Sequence, residues 1–79
     1  MVDKTFRENE SAVIKCMVSG MPKPVITWFK DGESLVTTER HFLAADNQVL
    51  LVTGATQEDA GRYECFNLQH KIQILLSNY

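Results

Sequence analysis

Apolar and polar residues alternate in short runs along this chain, and each run ends at a turn signal. In "SAVIKCMVSG", Ala12, Ile14, Cys16 and Val18 fall on one face, and Val13, Lys15, Met17 and Ser19 on the other. A period of two marks a strand with one buried face. "GMPKP" breaks the run, because Gly20, Pro22 and Pro24 suit a turn and exclude helix. "VITWFK" resumes it, with Ile26 and Trp28 on one face and Val25, Thr27 and Phe29 on the other. Asp31-Gly32 ends that strand as a turn dipeptide. "ESLVT" predicts a short edge strand around Leu35, and "RHFLA" a further weak one. Asp46-Asn47 is a tight connection into "QVLLVTG", a strand ending at Gly54. "ATQEDA" is a polar corner that admits a single helical turn. "GRYECFN" alternates again, with Tyr63 and Cys65 on one face. No segment sustains a helical period. The pattern predicts one all-β domain over residues 1–79 with Greek-key connections.

Size and charge narrow the function. A chain of 79 residues buries only about 60% of its unfolded surface or a little more, so its core is marginal without a staple. The net charge is −2 and the lysines and arginines are scattered. No basic stripe marks a nucleic-acid footprint. Ile74-Leu75-Leu76 is far too short to insert in a membrane. "MVDKTFRENES" has no apolar core of a secretory signal. These ends read as an excerpt, an alternative product or an intracellular protein.

Candidate chemistry is sparse. Cys16 and Cys65 lack the close pairing of zinc ligands, and His41 and His70 complete a four-ligand set only on paper. Glu58 and Asp59 are adjacent, so on an extended chain they point apart rather than forming a catalytic couple. No nucleophile–base pair, phosphate loop or metal motif is present, so no catalytic residue, metal or cofactor is expected. Strand parity puts Cys16, Trp28 and Cys65 on inward faces. The cysteines there are either a disulfide or two buried thiols, according to compartment. A disulfide closing a loop of about 50 residues contributes roughly 4 kcal/mol in the chain-entropy model, comparable to a small domain's whole stability. The remaining chemistry is surface recognition. Thr27, Phe29, Arg62, Glu64, Phe66 and Leu68 point outward, with Phe29 and Phe66 side by side. They form a partner-binding face, or else the aromatics cover each other and the stems of Arg62 and Lys30. Asn9-Glu10-Ser11 is an N-glycosylation sequon on a surface turn.

Cys16, Trp28 and then Asp59-x-Gly61-x-Tyr63-x-Cys65 resemble an immunoglobulin domain. "SGMPKPVITWFKDGESL" and "QVLLVTGATQEDAGRYEC" are similar to its I-set subtype. "LVTTERHFLAADNQVLLV" is similar to the ectodomain immunoglobulin domains of transmembrane proteins that combine leucine-rich repeats with such domains. The resemblance runs from about Thr5 to Cys65. It implies an immunoglobulin-like β-sandwich with a Cys16–Cys65 disulfide packed on Trp28. It also implies a corner in which the Tyr63 hydroxyl bonds main chain near Asp59, Gly61 permits the sharp turn, and Arg40 pairs with Asp59. "GMPKP" becomes an ordinary connection between strands.

The ends depart from the family. A typical member has about 100 residues. Few residues precede Cys16, so most of the first strand is expected to be missing. After Cys65 the tail lacks the usual glycine turn. Ile72, Ile74 and Leu76 can face inward after a turn at Gln69-His70, with Lys71 and Gln73 opposite. Without a glycine the register is expected to be loose, the last strand short or irregular, and its edge open to self-association. The resemblance implies a protein–protein interaction module on a receptor or adhesion protein outside the cell, one that modulates growth-factor receptor signalling. The competing expectations are a cytoplasmic link domain in a giant muscle or cytoskeletal protein, and a truncated product with little function of its own.

Overall fold

A computed structural model describes residues 2–17, 25–67 and 70–78. The described strands are β1 (Val2–Phe6), β2 (Ala12–Lys15), β3 (Thr27–Lys30), β4 (Glu33–Ser34), β5 (His41–Ala44), β6 (Val49–Val52), β7 (Gly61–Phe66) and β8 (Lys71–Asn78). One 3-10 turn, Gln57–Asp59, forms in the polar corner. Two sheets result. One has the order β1-β8-β7-β3-β4 and the other β2-β6-β5. The "GMPKP" connection, Leu68 and Gln69 lie outside the described residues.

The alternation read from the sequence is what fills the space between the sheets. Ile14, Leu50 and Val52 from the three-stranded sheet meet Trp28, Tyr63, Ile74 and Leu76 from the other. All are buried, and Phe6 and Ile26 join them. Cys16 and Cys65 form a disulfide across this core, with their Cα atoms 6.4 Å apart. Trp28 is buried beside them, and its indole N–H donates to the Asn47 carbonyl at 2.6 Å. That bond satisfies the one polar atom of an otherwise apolar side chain.

The chain ends differ from expectation. The last strand is neither short nor irregular: β8 runs for eight residues and is the longest strand. It pairs with β7 without a break, from Gly61 opposite Leu76 to Phe66 opposite Lys71. Two features fix this register without glycine. Asn67 closes the turn, its N–H donating to the His70 carbonyl at 3.0 Å and its Oδ1 accepting from the His70 N–H at 2.8 Å. Burial of Ile74 and Leu76 then penalises any one-residue slip, which would turn them to solvent.

The expected open edge on β8 is covered as well. β1 lies parallel to β8 over Val2 to Phe6, paired with Ile74 to Asn78. Part of the first strand is therefore present, and it anchors through buried Phe6. Among the described residues, β1 and β4 end one sheet and β2 and β5 the other.

Candidate interaction face and its supporting corner

The outer face of the five-stranded sheet is set by β3, β7 and β8. Their registers place Thr27, Phe66 and Lys71 in one row, and Phe29, Glu64 and Gln73 in the next. Phe29 and Phe66 sit diagonally. Their ring centroids are 5.2 Å apart at an interplanar angle of 83°, an edge-to-face pair. This orientation sets the positive rim of one ring against the negative face of the other. Both rings stay half-buried, and the Lys71 ammonium lies 5.8 Å from the Phe66 centroid. Thr27 is exposed.

Glu64 is the unexpected member of this face. Parity puts it outward, yet it is only 8% exposed. Gln73 Nε2 donates to its Oε2 at 2.9 Å. Lys71 Nζ lies 3.6 Å from Oε2 and Arg62 Nε 4.0 Å from Oε1. The Gln73 bond, followed by these two cations, holds its carboxyl below the usual range against the opposing effect of burial. The face thus carries an aromatic pair beside an ionised carboxylate ringed by two cations.

At the other end of β7 lies a corner of different character. The Tyr63 hydroxyl donates to the Asp59 carbonyl at 2.7 Å. Burial, reinforced by the Asp59 charge, pushes the phenol well up. Asp59 is 3% exposed and fully engaged. Its carboxylate accepts from the Thr56 N–H at 2.8 Å and from Arg40 Nη1 at 3.2 Å, and it meets His41 Nε2 at 2.6 Å. Burial would raise its pKa, but Thr56, Arg40 and His41 together outweigh that and hold it at about 2. Arg40 also donates to the Thr53 and Gly54 carbonyls at 3.0 Å each.

Gly61 has φ +151°, and a Cβ there would stand 2.7 Å from an Asp31 carboxylate oxygen. That carboxylate accepts from the Arg62 N–H at 2.9 Å. Gly61 therefore makes room for the side chain that ties the β3–β4 turn to β7.

Sequence reasoning weighed His41 only as a zinc ligand and missed its bond to Asp59. The available signal was its inward parity beside Arg40. With Cys16 and Cys65 joined to each other, the proposed four-ligand set loses both of its thiolates. His41 also links Asp59 to a hydroxyl, since Thr38 Oγ1 lies 2.9 Å from His41 Nδ1. This chain has the order of a hydrolase triad. The Thr38 oxygen, however, accepts from the N–H groups of Arg40 and His41, each at 3.1 Å. Those bonds occupy the lone pairs a nucleophile would use, so the chain clamps the start of β5.

Asn9 stands exposed in the turn between β1 and β2 with φ 66°. Its N–H donates to the Ala55 carbonyl at 2.7 Å, which leaves the side chain outside the sandwich.

Two packed sheets, a cross-sheet disulfide on a buried tryptophan and a tyrosine-anchored corner define an immunoglobulin-type β-sandwich. Residues 1–69 match the model of the immunoglobulin I-set domain. The chain belongs to that family. It is 45% identical over 65 residues to human "Leucine-rich repeats and immunoglobulin-like domains protein 3", covering 82% of this chain and 6% of that protein. It is 49% identical over 63 residues to the mouse protein 2 of the same name, covering 80% of this chain and 6% of that protein. The chain thus spans about 6% of the length of the curated relatives it matches. Among solved structures, a chain of the titin M10–obscurin-like 1 Ig complex superposes with a TM-score of 0.86 at 30% identity, covering 98% of this chain and 85% of that one.

Proposed function

We propose that this domain is a non-enzymatic protein–protein interaction module, displayed outside the cell as part of a larger membrane protein. It binds its partner through Thr27, Phe29, Glu64 and Phe66. The observation that carries this reading is the outer face of β3, β7 and β8, where a half-buried aromatic pair adjoins an ionised carboxylate flanked by two cations. Aromatics near the centre of an interface supply affinity, and charges around them set partner choice. The 45–49% identity to proteins named for leucine-rich repeats and immunoglobulin-like domains supports a surface receptor as the parent. In such a parent the domain contributes partner contact in the modulation of growth-factor receptor signalling. Exposed Asn9 carries a glycan in this setting. Deglycosylation should then convert it to Asp, a shift visible in a peptide mass.

A tetramerised form of the chain, applied to cells displaying growth-factor receptor ectodomains, tests the face. Binding is expected to fall more than about tenfold for Phe29→Ser or Phe66→Ser. Phe42→Ser, on the opposite sheet, leaves it unchanged. Equal binding by all variants contradicts the face, and no staining of any receptor contradicts the signalling role.

The likeness to the titin complex favours a second reading, an intracellular link domain. The disulfide opposes it, because cytosolic thiols stay reduced. Two free thiols on the protein purified from its own cell under non-reducing conditions would establish the second reading.

A further inference from the structure

A groove opens along the side of the sandwich where the chain leaves β4 and crosses to β5. β4, Leu35 and Val36 line it on one side, and Glu58 of the 3-10 turn on the other. Its volume is about 480 Å³, within the range of about 300–1,000 Å³ that ligand sites occupy. Residues 31–41 are described throughout and run from one strand directly to the next, so the lining is continuous chain.

The inner part of the groove has no charge to spare. Asp59 is held by Arg40, His41 and Thr56, and Arg40 also donates to the Thr53 and Gly54 carbonyls. Lys30 is committed as well. Its Nζ donates to the Glu58 carbonyl at 2.8 Å and lies 3.6 Å from an Asp31 carboxylate oxygen. The rim differs. Glu33 and Glu58 are exposed, and their carboxylates accept no hydrogen bond and pair with no cation among the described residues. Beside them Val36 is 73% exposed, and Leu35 is half-buried against the core.

Two unpaired carboxylates next to an apolar strip suit a ligand with a cationic head on an apolar stem. Four carboxylates and two permanent cations line the groove, so its field is negative and draws such a head in. Long basic side chains are built this way, with methylenes that lie on apolar surface and a charged end that stays near water. Arginine fits better than lysine. Its planar guanidinium spreads five N–H donors in a fork, so one head meets carboxylates on two sides, and it is more weakly hydrated than an ammonium. A bare metal ion would use the carboxylates and leave Leu35 and Val36 without a role.

We propose that this groove receives an arginine side chain presented by a partner protein. The stem lies on Leu35 and Val36, and the guanidinium sits between Glu33 and Glu58. The saturated network of Arg40, His41 and Asp59 supplies a rigid base that the incoming cation does not have to rearrange. The contact lies beyond edge strand β4, off the aromatic face, and stands independently of what that face binds.

The test titrates the isotope-labelled chain, with its disulfide formed, with the Nα-acetyl amides of arginine, lysine and citrulline, read by amide chemical shifts. So small a ligand at an exposed site should bind with a Kd of about 10 mM for arginine. Shifts should concentrate at Glu33, Leu35, Val36 and Glu58. Citrulline has the same shape without the charge and should bind at least about fivefold more weakly. Lysine should bind about two- to threefold more weakly than arginine. Glu33→Gln and Glu58→Gln should each weaken arginine binding at least about threefold and leave the melt unchanged, both side chains being exposed. No shifts at these positions, citrulline binding as well as arginine, or glutamine variants that bind like the native chain would each overturn the proposal. Lysine binding as tightly as arginine overturns the choice of a guanidinium. Calcium chloride that moves the same amides at lower concentration than the arginine amide would make the groove a metal site and overturn the side-chain reading.

Discussion

Asp59, in the 3-10 turn that precedes β7, and Glu64, within β7, are two buried carboxylates whose partners differ in kind. Asp59 is held by Thr56, Arg40 and His41, which belong to its own corner and to the start of β5. All three are locked in place by main-chain bonds or packing. Glu64 is held by Gln73, Lys71 and Arg62 on an outer sheet face, and the side chains of Lys71 and Arg62 are about half exposed. In the proposed interaction an arriving partner exchanges the second set, whereas in the first the Thr56 main chain and the largely buried His41 hold Asp59 beside a partly exposed Arg40. The same residue chemistry thus supports the fold just before β7 and, in the function proposed above, recognition on its outer face.

Substitutions at the structural end should show the larger effects on stability. Replacing Cys16 and Cys65 together by Ala should cost about 2–5 kcal/mol in denaturant unfolding without reductant. A loss below that range would mean that the inner core stands without its staple. Asp59→Ala should cost about 3–5 kcal/mol, because it strands Arg40 and His41 at a partly buried site. Ionised Asp59 also makes stability pH-dependent. Its carboxyl titrates at about 2 when folded, against an ordinary value of 3.8. This lowering contributes about 2 kcal/mol, fully present above about pH 4 and lost as the pH falls to about 2. Melting curves between those limits should slope less steeply with pH for Asp59→Asn than for the native chain.

Tyr63→Phe should cost about 1–2 kcal/mol, since the Asp59 carbonyl loses its buried donor. Glu64→Gln should have the smallest effect on the melt. It keeps an acceptor for Gln73 while removing the charge that Lys71 and Arg62 share. Partner binding should weaken and lose part of its salt dependence, read by association rates at two ionic strengths. A melt lowered as far as that of Tyr63→Phe would place Glu64 with the structural set and erase the contrast.

Strand parity made most of this fold readable before any coordinates. Ile14, Trp28, Tyr63 and Ile74 fall on the inward faces that parity assigns them, and each is buried; Leu50 is buried too, but it sits in the apolar run Val49 to Val52, which alternation does not orient. β1 escaped, because "VDKTF" buries only Phe6 and its pairing is parallel to the far end of the chain. No local pattern reports a contact of that kind. The tail was underestimated because Asn67 does with its side chain what a glycine turn does with backbone freedom. The Arg40–Asp59 pair followed from the family pattern. His41 joined it because its inward parity on β5 brings Nε2 onto the 3-10 corner, a signal that sat unused beside Arg40. On the outer face, parity placed Phe29 and Phe66 together, but the tucking of Glu64 between Lys71, Arg62 and Gln73 depends on side-chain conformations that alternation leaves free.

The division between corner and face is tested most directly by comparing Tyr63→Phe and Phe66→Ser for receptor binding at a temperature where both are fully folded. The account predicts that Tyr63→Phe, though less stable, binds like the native chain. Phe66→Ser lowers the melt by no more than Tyr63→Phe does, through loss of the half-buried ring pair, yet loses binding more than about tenfold. Binding that follows melting temperature in both variants, with no separate effect at Phe66, would contradict it.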